Sequence, residues 1–99
     1  MQNIEIIRIC AFNEASREEA VIKAREVIET CHNGGEGVAI WTSTDQSTDM
    51  LILLKRKGDI PIKSYSMEGL QIADYFSRFG WISHSLWQDI APMEEKTSG

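Results

Sequence analysis

Two stretches of the chain, residues 4–12 and 50–56, carry apolar side chains at odd and even positions alike. The first places Ile4, Ile6, Ile7, Ile9 and Cys10 around one glutamate, Glu5, and one arginine, Arg8. The second runs from Met50 through Leu54 before reaching its charges. A β-strand sends successive side chains to opposite faces, so a strand apolar at both parities is one covered on both sides. Two other stretches alternate. In 38–44, Val38, Ile40 and Thr42 face one way and Ala39, Trp41 and Ser43 the other. In 81–90, Trp81, Ser83, Ser85 and Trp87 share one face, and Ile82, His84, Leu86, Gln88 and Ile90 share the opposite one. Alternation marks strands that are half-covered, as at the edges of a sheet.

Two segments have helical periodicity. Ser16 and Glu19 have the spacing of a capping box and predict a helix from Ser16 onward. Ala20, Ala24, Val27, Ile28 and Cys31 form its apolar stripe, and Asn33, Gly34 and Gly35 predict its end. The second helix is predicted from a Ser66 cap through Phe79, with Ile72, Tyr75, Phe76 and Phe79 on one side and Gly80 as the stop. Gly69 weakens its interior.

The order is therefore βαββαβ. This order fits an α+β, ferredoxin-like domain with a four-stranded antiparallel sheet and two helices on one face. The first and third strands are then central and the second and fourth are edges, in agreement with their patterning. Right-handed crossovers put both helices on the same face, leaving the other apolar face without cover from its own chain. Such a patch is unusual on a soluble monomer. A second copy, sheet against sheet at about 10 Å, is the simplest cover. The expected partner is the chain itself, as a homodimer.

At 99 residues the chain has room for a single domain, expected over 1–91, with 92–99 as a mobile tail. A formal net charge of -5 argues against nucleic acid as a partner, since phosphate binding needs a clustered positive field. The longest apolar run, Met50 to Leu54, is far short of the ~20 residues of a membrane helix. Glu5 and Arg8 interrupt the N-terminal apolar stretch, so no signal peptide is expected. Cys10 and Cys31 lie in unrelated segments and predict reduced thiols in a cytoplasmic setting.

His84 is the most reactive candidate, a mid-strand imidazole that could serve as a general base in catalysis. No acidic partner for it can be picked out of the sequence, and a histidine hydrogen-bonded at an edge or interface is the plainer reading. His32 suits a helix C-terminus. Metal binding is not expected: Cys31 and His32 are adjacent, and no CxxC, HxxxH or acidic cluster accompanies them. Cys10, among isoleucines, reads as a core thiol rather than a nucleophile. Trp41, Trp81 and Trp87 are candidate ligand contacts that could stack on a flat molecule, with plain packing as the alternative. Alternation forbids Trp41, Trp81, His84 and Trp87 all from sharing one face. The cluster Lys55, Arg56, Lys57 and Lys63 could hold an anion or simply be a solvated strand end. RNA-recognition domains of this strand order need exposed aromatics on the third strand, and residues 50–56 have none.

The long capped first helix, the Gly34-Gly35-Glu36-Gly37 entry into a strand, the polar loop 43–49 and the loop into a shorter second helix extend over residues 4–90. In this combination the chain resembles the dimeric α/β-barrel superfamily, which includes the antibiotic-biosynthesis monooxygenases. The resemblance implies paired sheets around a cavity for a small, often aromatic molecule, oxidised by some members without any cofactor. The chain departs from the oxygenase pattern in having no aromatic residue in 51–56 and no histidine in the second helix. The expectation is a dimeric domain that binds a small apolar or aromatic molecule, with monooxygenase-like chemistry as an extension. The alternative is a non-enzymatic sensing or assembly module. Sensing domains of that kind usually have a glycine after the first strand, and residues 11–15 contain none.

Overall fold

The structure, a computed structural model, describes residues 2–31, 37–58 and 60–90, the side chains of Thr30 and Cys31 excepted. Its elements are β1 (Asn3–Ala11), α1 (Glu14–Cys31), β2 (Val38–Thr42), β3 (Asp49–Arg56), α2 (Met67–Phe76) and β4 (Gly80–Gln88). The strands form one antiparallel sheet in the order β2-β3-β1-β4. This is the ferredoxin-like arrangement, with the two doubly apolar strands at its centre. His32 and the expected helix stop at 33–35 lie outside the described residues, as does the expected tail, 92–99.

Register sorts the side chains. Ile7 lies between Ile52 and His84, and Ile9 between Met50 and Ile82, on the face the helices cover. Ile7, Ile9, Met50, Ile52 and Leu54 are buried together with Ala20 and Ala24 of α1 and Ile72 and Phe76 of α2. Each large apolar side chain so enclosed contributes about 1.5–3 kcal/mol relative to exposure. The two alanines leave no bulk between α1 and the sheet, which lets the helix sit close. Phe79 joins the cluster, and Tyr75 packs against it edge-on to Phe76.

The start of α1 differs from the sequence expectation. The helix begins at Glu14, and Asn13 Oδ1 accepts a hydrogen bond from the Ser16 N–H at 2.8 Å. Asn13 is thus the cap, and Ser16 sits in the first turn instead of heading a capping box. An asparagine amide oxygen satisfies the free N–H as well as a serine hydroxyl does, and it comes first in the chain. α2 has the expected Ser66 cap, whose hydroxyl accepts from Gly69 N–H at 2.8 Å. It stops at Phe76, three residues early, in a turn that leads into β4.

Polar residues fasten the connection before α2. Asn3 is buried at the start of β1, and its amide donates to the carbonyls of Gly58 at 2.9 Å and Ile60 at 3.1 Å. Its Oδ1 accepts from Ile62 N–H at 3.4 Å. A long loop is thereby held against the sheet, which fixes where Tyr65 and Ser66 stand.

Candidate functional site

The sheet has two chemically different faces, and the candidate residues divide between them. Trp41, Trp81 and Trp87 stand on the face without helices, exposed by 61%, 67% and 59%. Register puts Trp81 beside Cys10, Trp87 beside Ile4, and Trp41 beside Leu51. Ile4, Ile6, Leu51 and Leu53 are half-buried between them. Phe12 adds an edge-to-face contact with Trp81, ring centres 4.9 Å apart. Cys10 belongs here too, half-buried on the open face rather than in the helix-side core expected from its neighbours.

Besides Lys55, Ser83 and Ser85, this face carries an ion pair. The guanidinium of Arg8 donates to Asp49 Oδ2 through Nε at 3.2 Å and also through a second nitrogen. The hydrogen bond from Arg8 holds the Asp49 carboxyl below its ordinary range, against the opposing effect of burial. The same bond raises Arg8. A cleft of about 440 Å³ opens beside this pair, lined by Trp41, Thr42, Ser43, Asp45, Met50 and Leu51 among others. A second, of about 420 Å³, lies at the far end against Ile4, Ile6 and Trp87.

His84 is on the opposite face. Its Nε2 lies 2.6 Å from Oε2 of Glu5, the acidic partner that the sequence did not identify. Glu5 is fully buried. Its Oε1 accepts from Arg56 Nη1 at 2.9 Å and from the Ser66 hydroxyl at 2.8 Å, and the Ser66 N–H approaches both oxygens at 3.3 Å. The carboxylate thus sits at the N-terminus of α2, where free N–H groups and the helix dipole favour negative charge. Arg56, part of the basic cluster read as an anion site or solvated strand end, is turned inward to this carboxylate. Tyr65 stacks on the imidazole with centres 3.7 Å apart and donates its hydroxyl to the His84 carbonyl at 2.8 Å.

In the sequence Glu5 is one of two charges within an isoleucine-rich strand, with nothing to tie it to His84. Register supplies the partner: residues 5 and 84 fall on the same face of adjacent strands, Glu5 opposite Leu86 and His84 opposite Ile7. The geometry therefore puts the three tryptophans on one face, Trp41 at one edge and Trp81 and Trp87 at the other, and separates them from His84 by the thickness of the sheet. Among the described residues no three His, Cys, Asp or Glu side chains converge as a metal site. No helix there is long and apolar enough to cross a membrane.

No protein-family model matches the chain, and no curated protein matches it by sequence. Solved structures do match in fold. One is a conserved protein of unknown function from Bacteroides thetaiotaomicron, described as a "possible oxidoreductase", with TM-score 0.56 and 14% identity over 87% of this chain and 96% of that one. Another, from Bordetella bronchiseptica, is described as a "putative antibiotic biosynthesis monooxygenase", with TM-score 0.56 and 16% identity over 91% and 98% of the two chains. At these identities the likeness is one of fold, and it extends across nearly the whole of both neighbours.

Proposed function

We infer that two copies of this chain pack through their open sheet faces and hold a small, flat, largely apolar molecule against Trp41, Trp81 and Trp87. The observation that carries this reading is that three exposed indoles share one helix-free face with Ile4, Ile6, Leu51 and Leu53. An apolar face of this kind calls for cover. Bulky rings at its two ends would hold paired sheets apart and leave room between them. Indole faces stack on flat rings, and an indole N–H can orient a polar substituent; that of Trp87 is donated to the Ser85 hydroxyl at 2.8 Å.

The descriptions given to the two structural neighbours extend this reading to oxidation of the bound molecule, an oxidisable aromatic such as a quinol being the substrate class. The rival is binding without turnover, in a sensing or assembly module. Sedimentation at micromolar concentration should give the mass of two chains, and quinols should quench the tryptophan emission. Oxygen consumption with the quinol present marks an enzyme, whereas a ligand-induced thermal shift without it marks a sensor. A one-chain mass with no quenching defeats the reading.

A further inference from the structure

The geometry points to His84 Nδ1 as a positioned proton acceptor, on the helix side of the sheet and independent of the tryptophan face. Three observations carry it. First, Glu5 Oε1 is taken up by Arg56 and Ser66, so the carboxylate is held as an acceptor and Oε2 receives the proton on His84 Nε2 at 2.6 Å. A bond of that kind fixes both the tautomer and the orientation of the ring, and leaves the lone pair on the other nitrogen. Second, Nδ1 has no hydrogen-bond partner among the described residues, and the side chain keeps 11% of its surface open. Third, the carboxylate cannot drift away. It is fully buried, and a Cβ on residue 69 would lie only 1.8 Å from Oε2, so the helix backbone encloses it.

β4 is an edge strand, which makes the site reachable. Bonds from Phe12 N–H to the Phe79 carbonyl and from Asp89 N–H to the Gln2 carbonyl fix the pairing of β4 with β1 at both ends. By that alternation the main-chain groups of Ile82, His84 and Leu86 point away from β1. Tyr65 occupies the His84 carbonyl and covers one face of the ring, leaving the outward N–H of His84 as a donor beside the imidazole. A donor next to a base suits a small molecule with a weakly acidic O–H or C–H and an adjacent acceptor oxygen or nitrogen. Nδ1 takes the proton, and the N–H binds the acceptor. Glu5 acts through the ring and is a positioning residue.

Two measurements on the full chain test this. Nitrogen-15 spectra of the histidine side chains at about pH 8 should show His84 carrying its proton at Nε2 alone. Glu5→Gln keeps the size of the side chain but can donate to Nε2, and should move the proton to Nδ1. The second measurement uses a nitrobenzisoxazole as probe. The base removes its C–H proton, the C–H electron pair forms the nitrile, and the N–O bond breaks to release a coloured phenolate. Elimination should exceed that given by an equal concentration of free imidazole by about a hundredfold, the low end for a positioned base. It should vanish in His84→Ala, fall in Glu5→Gln, and return to His84→Ala on adding imidazole. A ring protonated on both nitrogens or at Nδ1, or elimination no faster than the imidazole control, overturns the proposal and leaves the pair as a structural tie.

Discussion

The carboxylate of Glu5 occupies the space that a side chain on residue 69 would need: a Cβ there would lie 1.8 Å from Oε2 and 2.6 Å from the carboxyl carbon. Gly69 is the third residue of α2, and since glycine is a poorer helix former than alanine, Gly69→Ala would stabilise α2 considered alone. In this protein the clash decides the sign, because Glu5 is fully buried and held by Arg56, Ser66 and His84. Overpacking of this kind costs about 1–3 kcal/mol. Urea unfolding of Gly69→Ala should show a net loss of stability, and the loss should shrink when Glu5 is also replaced by alanine.

Removal of the carboxylate alone should be severe. Glu5→Ala leaves Arg56 and His84 facing each other without their shared acceptor. Breaking a buried pair by deleting one partner costs about 3 kcal/mol or more. Glu5→Gln retains the volume and part of the hydrogen bonding, and should lose less. Equal losses in the two variants, read from urea midpoints, would mean that charge has no part in the cluster.

The sheet order and the division into inner and edge strands could be read from the sequence because strand periodicity records coverage directly. The same periodicity placed Trp81 and Trp87 on one face of β4 and His84 on the other. It could not bring Trp41 to that same face, because this requires the register between β2 and β3, where Trp41 meets Leu51. Glu5 was missed for a related reason. A charge inside an apolar strand has no signature of its own until the neighbouring strand and the α2 N-terminus supply its partners. Ser16 and Glu19 have capping-box spacing, yet Asn13 caps α1, since both residue types cap well and only the backbone decides between them.

Gly80 presents a harder constraint than Gly69. A Cβ on it would lie 2.1 Å from the Cys10 carbonyl oxygen and 2.5 Å from the Ala11 Cα, both main-chain atoms of the paired strand. No rotamer change relieves such a contact, so β4 would have to part from β1 at its first residue. Gly80→Ala should cost about 3 kcal/mol or more, with early loss of amide-exchange protection around Ala11 and Gly80. An unchanged melting temperature would show that the strands separate there without penalty.

The Arg8–Asp49 pair predicts an acid-sensitive component of stability. The hydrogen bond from Arg8 lowers the Asp49 carboxyl in the folded protein, while in the unfolded chain it titrates near its ordinary value of about 3.9. The stabilisation is therefore fully present above about pH 4 and is lost as the pH falls through the lower folded value. Urea midpoints measured downward from neutral pH should fall more steeply for the wild type than for Asp49→Asn. Parallel curves would assign the acid sensitivity to other carboxylates.

Leu53 faces Ile6 across the middle of the open sheet face, on the side away from the helices. Leu53→Arg leaves the helix-side core untouched, so the chain should still fold and melt cooperatively. In the proposed pairing, however, the arginine would be carried into the apolar centre between the two sheets. Burying an unpaired charge between two apolar surfaces carries a heavy desolvation cost. If the proposed pairing holds, sedimentation at micromolar concentration should give two-chain mass for the wild type and one-chain mass for the variant. Ile22→Arg, at an exposed position on α1, should leave the mass unchanged. If Ile22→Arg dissociated the protein and Leu53→Arg did not, the interface would run over the helices, and the tryptophan face would be left to water.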